Sequence, residues 1–278
     1  MNAVTFNNVE HIYNEKSPFE IKSLNGVDLQ IKKGEIFFIC GNTGSGKSTL
    51  IKLINRLLIA KTGSIKVLEF DMNTIKKPFE LRKKVGMIFQ YPDNQIFETR
   101  VKKELIYGPE KFGMSKREAL VKIKESCVLA GLDYEGFKNR NPFELSGGEK
   151  RKVAICSILA YDPEIIIFDE PTAGLDNSSI LSLKKMFFKL KEKGKTIIAV
   201  SHNIDFISEC CDKICLLSGG KVIFSGDFVD TMMRFTNKEL EVFGVEKPFI
   251  YRLLEKIKFK DKDDFKEKIK NIENLFNV

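Results

Sequence analysis

Apolar runs bounded by charged or turn-forming residues recur along the chain: EIFFIC (Glu35 to Cys40), VGMIFQ (Val85 to Gln90), EIIIFDE (Glu164 to Glu170), TIIAVSH (Thr196 to His202) and KICLLS (Lys213 to Ser218). Unbroken runs of this kind predict strands covered on both faces, and the helical patterns between them predict helices packed on a mainly parallel sheet. Ahead of them, AVTFNNVEHIY and IKSLNGVDLQI alternate apolar with polar positions, as strands of a half-exposed antiparallel sheet do. LLSGGKVIFSG predicts a hairpin closed at Gly219-Gly220. Between Glu98 and Leu145 the pattern turns helical. SKREALVKIKESCVLAGL opens with a capping box, Ser115 with Glu118, and closes on Gly131. After Thr231 two or three short helices are expected. The predicted fold class is α/β: a mixed core sheet, an N-terminal antiparallel subdomain, a helical insertion and a small C-terminal helical appendage. The expected boundaries are 1–232 for the main domain, about 98–160 for the helical subdomain and 233–278 for the appendage.

Composition changes this picture little. At 278 residues the chain can bury a sizeable core, and 30% charged with 43% hydrophobic residues is ordinary for a globular protein. The net charge of +8 fits either a lysine-rich solvated surface or a face near anionic lipid or nucleic acid. The six cysteines contain no C-x-x-C pair and several sit in apolar runs, which reads as small buried hydrophobes in a reducing compartment. The cluster CCDKIC has no histidine nearer than His202, so a metal site is not expected there. The opening residues lack an apolar signal segment, and no run approaches the roughly 20 residues that span a bilayer. A soluble or peripheral, cytoplasmic protein is expected.

The chemistry begins at GNTGSGKST, which fits G-x-x-x-x-G-K-[ST] and lies between a buried strand and the helical run STLIKLINRLL. Residues Gly41, Asn42, Thr43, Gly44, Ser45, Gly46, Lys47, Ser48 and Thr49 are expected to wrap the phosphates of ATP. The glycines let backbone N–H groups curl around the anion, and the helix N-terminus adds its positive end. Lys47 is placed to neutralise the β- and γ-phosphates, and the Ser48 hydroxyl to reach Mg²⁺. Asp169 ends a buried strand where a carboxylate can hold the metal. Glu170 follows and points the other way in an extended chain, towards an attacking water. His202 and Gln90 each close a strand at the sheet edge where ligands bind in open α/β folds. Alone, His202 fits a satisfied core histidine as well as a phosphate contact, and Gln90 says little.

One segment remains unexplained: NPFELSGGEKRKVAI, a second glycine pair far downstream of the first. With it, the motifs resemble those of the ATP-binding subunits of ABC transporters, in order and over nearly the whole chain. The resemblance implies that two such subunits pack head to tail, so that Ser146, Gly147 and Gly148 close over the nucleotide held by the partner. A helix N-terminus is a ready-made anion site, and one chain cannot fold both anion sites onto one γ-phosphate. By the same resemblance Tyr13 would stack on adenine, although a plain strand-edge tyrosine also fits. Asp176 would belong to the loop communicating across the dimer, and Gln90 would sense magnesium and couple to a membrane partner. The sequence departs from the family at Glu149, where glutamine is common, which adds a negative charge near the partner's nucleotide. It departs again at Asn177, where proline usually follows.

Finer features resemble the ATPases of energy-coupling factor transporters, importers of vitamins and transition-metal ions. These are SPFEIKSLNGVDL, FQYPDNQIFETRVKKELIYGP, NPFELSGGEKRKVAI and ELEVFGVEKPF, with SPFE and DEPTAGLD closer to the second of two paralogous ATPases. The branch implies a heterodimer with a homologous second ATPase, peripheral at the cytoplasmic face of the membrane beneath a transmembrane coupling protein. A substrate-binding membrane protein would be engaged indirectly, and the appendage would help dimerise. The coupling protein would dock near Gln90 and the helical insertion. Other ABC import systems, or a soluble non-transport ABC ATPase, are the alternatives. Chromosome-associated relatives separate the two glycine motifs by long coiled coils, and no heptads intervene here, so no nucleic-acid partner is expected.

Overall fold

The computed structural model describes residues 1–91, 94–254, 264 and 267. Two sheets organise it. Strands β1 (Asn2–Tyr13), β2 (Ile21–Lys32), β4 (Thr62–Val67) and β5 (Phe70–Asp71) form an antiparallel sheet in the order β2-β1-β4-β5. The second sheet has the order β10-β9-β3-β8-β7-β6, from β3 (Ile36–Cys40), β6 (Val85–Ile88), β7 (Ile165–Asp169), β8 (Thr196–Val200), β9 (Lys213–Ser218) and β10 (Lys221–Asp227). Its members run parallel except β10, which returns antiparallel on β9. Gly219 and Gly220, with φ of 54° and 73°, close that hairpin, the backbone a two-residue turn requires.

The unbroken apolar runs are explained by the period of the strand. Alternate residues of β3 face two different cores: Phe37 and Ile39 meet the antiparallel sheet, whereas Ile36, Phe38 and Cys40 meet helices on the other side. β7, β8 and β9 divide in the same way. On the helical side, Phe38, Phe187 and Phe206 pack ring against ring, with centroids between 5.5 and 6.4 Å apart.

Between β6 and β7 lies the helical insertion: α3 (Val101–Lys111), α4 (Lys116–Ala130), the short α5 (Tyr134–Phe137) and α6 (Gly147–Leu159). It holds its own core around Leu105, Ile123, Val153 and Ala154. Ser115 and Glu118 form the predicted capping box, and Gly131 ends α4 in the left-handed conformation. α7 (Asn177–Glu192), α8 (Ile204–Cys210), α9 (Phe228–Arg234), α10 (Asn237–Val242) and α11 (Phe249–Leu254) complete the described chain, with α1 (Lys47–Ile54) and α2 (Phe79–Lys84) nearer the start. Leu240, Val245 and Tyr251 pack in the same core as Phe38 and Phe206, so as far as residue 251 the C-terminal segment shares the core of the main body. Beyond residue 254 the expected appendage lies outside the described residues, apart from 264 and 267.

Three elements differ from expectation. The helix after the phosphate loop stops at Ile54 rather than running through Leu58, because Arg56 turns to a φ of 55°. β6 ends at Ile88, before Phe89 and Gln90, where the Gln95 side chain accepts the Phe89 N–H at 3.4 Å. The turn expected there, YPDN, falls partly outside the described residues. β1 breaks its alternation at Asn8 (φ 45°), where its register against β2 shifts.

Candidate active site

The loop between β3 and α1 is shaped by glycine. At Gly46, which caps α1, φ is 108° and an added Cβ would stand 2.6 Å from the Ser23 carbonyl oxygen. The buried Lys47 ammonium donates to the carbonyls of Gly41 at 2.7 Å and Asn42 at 2.9 Å. Burial pulls its pKa down, against the attraction of Glu170 and Asp169.

Above the loop opens a cleft of about 580 Å³. Thr43, Gly44, Gly46, Lys47, Ser48 and Thr49 form its floor; Gln90, Asp169, Glu170 and His202 enter from the strand ends; Tyr13, Ile21 and Ser23 come from the antiparallel sheet. Gly41, Asn42 and Ser45 shape the loop without lining the cleft. The Tyr13 hydroxyl lies 3.1 Å from the Thr49 hydroxyl, and its ring meets His11 edge-on at 4.7 Å. Asn42 turns away and donates its side-chain N–H to the Val242 carbonyl at 2.8 Å.

The two carboxylates differ in surroundings. Asp169 ends β7, and burial raises its pKa while Lys52 and Lys47 pull it down. Glu170 sits at φ 49°, a left-handed conformation costly for a residue with a Cβ. Its backbone N–H donates to Val200 at 2.9 Å, extending the β7–β8 ladder. Its carboxylate accepts from the His202 backbone N–H at 3.3 Å and stands 3.4 Å from His202 Nε2. Burial raises the Glu170 pKa and lowers that of His202, so each is biased towards its neutral form. A carboxyl held above the usual range is suited to proton transfer. Ser48, Gln90 and Asp169 bring hard oxygen donors to one cleft, a set that fits Mg²⁺.

Ser146, Gly147 and Gly148 do not line this cleft; they stand exposed at the N-terminus of α6. Glu149 accepts the Ser146 backbone N–H and hydroxyl, both at 2.8 Å, while Ser146 Oγ accepts the Glu149 N–H, closing a capping box. The extra negative charge thus serves the helix end: the Ser146 N–H first among causes, and Arg140 beside it, hold the Glu149 pKa down. Asp176 likewise stays out of the cleft, capping α7 through the Ser179 N–H at 2.8 Å.

Sequence reasoning missed several residues. Ile21 and Ser23 reach the cleft because Ile21 pairs with Tyr13 across the β1–β2 hairpin, which the SPFE turn between the two strands could have indicated. Arg151 on α6 donates to the carbonyls of Ala173 at 2.7 Å and Glu170 at 2.9 Å, a contact with no sequence signal.

Known proteins resemble this chain in sequence and in fold. The ABC transporter family profile matches residues 24–173. The energy-coupling factor transporter ATP-binding protein EcfA2 of Clostridium perfringens is 38% identical over 262 residues, covering 93% of this chain and 90% of that protein. EcfA2 of Bacillus cereus is 43% identical over 249 residues, covering 88% and 84%. Among solved structures, cbiO1 from Clostridium perfringens, part of the ABC transporter complex cbiONQ, matches with a TM-score of 0.73 at 28% identity, covering 87% of this chain and 97% of that one. A dimeric ATP-binding cassette in a post-hydrolysis state, bound to ADP and Pi, matches with a TM-score of 0.74 at 31% identity, covering 81% and 98%.

Proposed function

Because this chain belongs to the ABC transporter family, as an ATP hydrolase powering an energy-coupling factor transporter, we propose that its ATP site is completed by a second, homologous ATPase packed head to tail. The observation that carries this reading is the exposed glycine pair. A Cβ added at Gly147 or Gly148 would meet nothing within 4 Å, and neither residue has a positive φ. Nothing in this chain's own packing requires glycine there, whereas the close approach of an outside nucleotide to the α6 N-terminus does.

In the proposed mechanism the loop N–H groups and Lys47 hold the β- and γ-phosphates. Ser48, Asp169 and Gln90 would hold magnesium, which would supply neutralisation of the charge on the transferring phosphoryl group. Tyr13 packs against the base. Glu170 takes a proton from the attacking water, and His202, fixed beside it, steadies charge on the transferring phosphoryl group. Ser146, Gly147 and Gly148 serve the nucleotide of the partner, and Asp176 stands beside that interface at the start of α7.

The transported solute, a vitamin or a transition-metal ion, is selected by another subunit. No helix among the described residues is long and apolar enough to cross a membrane, which supports a peripheral position under a transmembrane coupling protein. An open groove beside Gln95, lined by Met87, Phe89, Phe97, Tyr107 and Phe112, offers that protein an apolar seat. The C-terminal segment would strengthen the ATPase pair. Affinity purification of this chain from detergent-solubilised native membranes tests the reading. Recovery of a second ABC ATPase and a multi-helix membrane protein is expected; recovery of neither overturns it.

A further inference from the structure

We propose that Arg151 is a positioning residue that carries the state of the α6 N-terminus, engaged with the partner's nucleotide, to this chain's own Glu170. The inference rests on the head-to-tail reading above. α6 bears Ser146 at its N-cap and Arg151 in its second turn, so both move with one rigid element. From there the guanidinium spans the turn after β7, donating to Ala173 O through Nη1 at 2.7 Å and to Glu170 O through Nη2 at 2.9 Å. The Ala173 N–H also donates to Glu170 O, at 3.2 Å, closing the same turn.

The Glu170 backbone is therefore gripped on both sides of its Cα. Val200 O takes its N–H, and Arg151 takes its carbonyl. Between those anchors the residue holds a φ of 49°, which a glutamate does not adopt unless its surroundings impose it. That backbone direction aims the carboxylate at His202. A displacement of α6 by an ångström re-aims the carbonyl and, with it, the base. Arginine suits the task because its planar fork meets two carbonyls at once; lysine offers one point charge.

The test uses the full-length chain in its native membrane assembly, comparing Arg151→Met, Arg151→Lys and Glu170→Gln with the parent. Arg151→Met is expected to keep ATP affinity, KM and melting temperature near parental while lowering kcat by about 10- to 100-fold, the scale set by small misplacements of a reacting group. Arg151→Lys is expected to recover part of that loss. A parental kcat in Arg151→Met, with Glu170→Gln inactive, overturns this proposal alone. A fall in affinity and melting temperature that matches the fall in kcat also overturns it, by making Arg151 a fold anchor. Parental turnover in Glu170→Gln overturns instead the base assignment on which it rests.

Discussion

Glu170 and His202 face each other across the ends of adjacent strands, with the carboxylate 3.4 Å from His202 Nε2 and accepting the His202 backbone N–H at 3.3 Å. The histidine thereby fixes the direction of the carboxylate as well as contributing its own ring to the cleft. Replacing Glu170 with glutamine keeps the shape and loses the base. ATP binding should persist while turnover falls on the order of 10²–10⁴-fold, the range of general-base contributions. Nucleotide titration alongside steady-state hydrolysis checks both halves.

Burial holds the Glu170 carboxyl above the ordinary glutamate range, so the folded chain binds that proton more tightly than the unfolded chain. The stability contributed by this group is fully present at acid pH and is lost as pH rises through its raised folded pKa. Glutamine escapes that loss. Nucleotide-free Glu170→Gln should melt higher than the parent at neutral pH, and the gap should narrow on acidification. Melting curves over a pH series read it directly. The acid limb of kcat/KM in the parent should correspondingly lie above the usual glutamate range.

Gly148 separates the needs of the fold from those of the reaction. Its added Cβ meets nothing in this chain, so Gly148→Ala should leave the fold intact or stabilise it, by about 0.4–1 kcal/mol. Hydrolysis by the assembled ATPase pair should nevertheless fall at least about tenfold, as a methyl group intrudes at the partner's nucleotide. Thermal melting and turnover moving in opposite directions is the expected signature.

Asn42 ties the phosphate loop to the C-terminal segment through Val242, and Gly244 (φ 71°) packs so closely that a Cβ would lie 2.1 Å from Asn42 Oδ1. Asn42→Ala should cost no more than about 0.5–1.5 kcal/mol and raise amide exchange in α10. Gly244→Ala should cost more, because it adds backbone strain to the clash. Hydrogen exchange resolved over residues 237–245 distinguishes the two.

Much of this was legible because local patterns and tertiary demands agree. Buried strands such as IIIF announce themselves by lacking polar positions, and the Ser115–Glu118 cap follows a rule of spacing. The same S-x-x-E spacing occurs at Ser146 and Glu149, yet there the glutamate reads from sequence as a departure from the family rather than as a cap. The bulge at Asn8 and the early stop of α1 at Arg56 depend on isolated left-handed residues that are not glycine, which periodicity does not reveal. The grip of Arg151 on Glu170 and that of Asn42 on Val242 are made by side chains reaching distant carbonyls. Any carbonyl presents the same oxygen, so sequence holds no trace of which one is chosen.

An active site shared between two chains makes turnover per ATPase subunit depend on assembly, which is measured for the purified chain alone and for the assembly recovered from native membranes. Groups supplied in trans to phosphoryl transfer are worth on the order of 10³–10⁵ in rate, so the chain alone should be slower by a factor approaching that range. Equal turnover in the two preparations, with the isolated chain verified as a monomer, would mean that one chain completes its own active site.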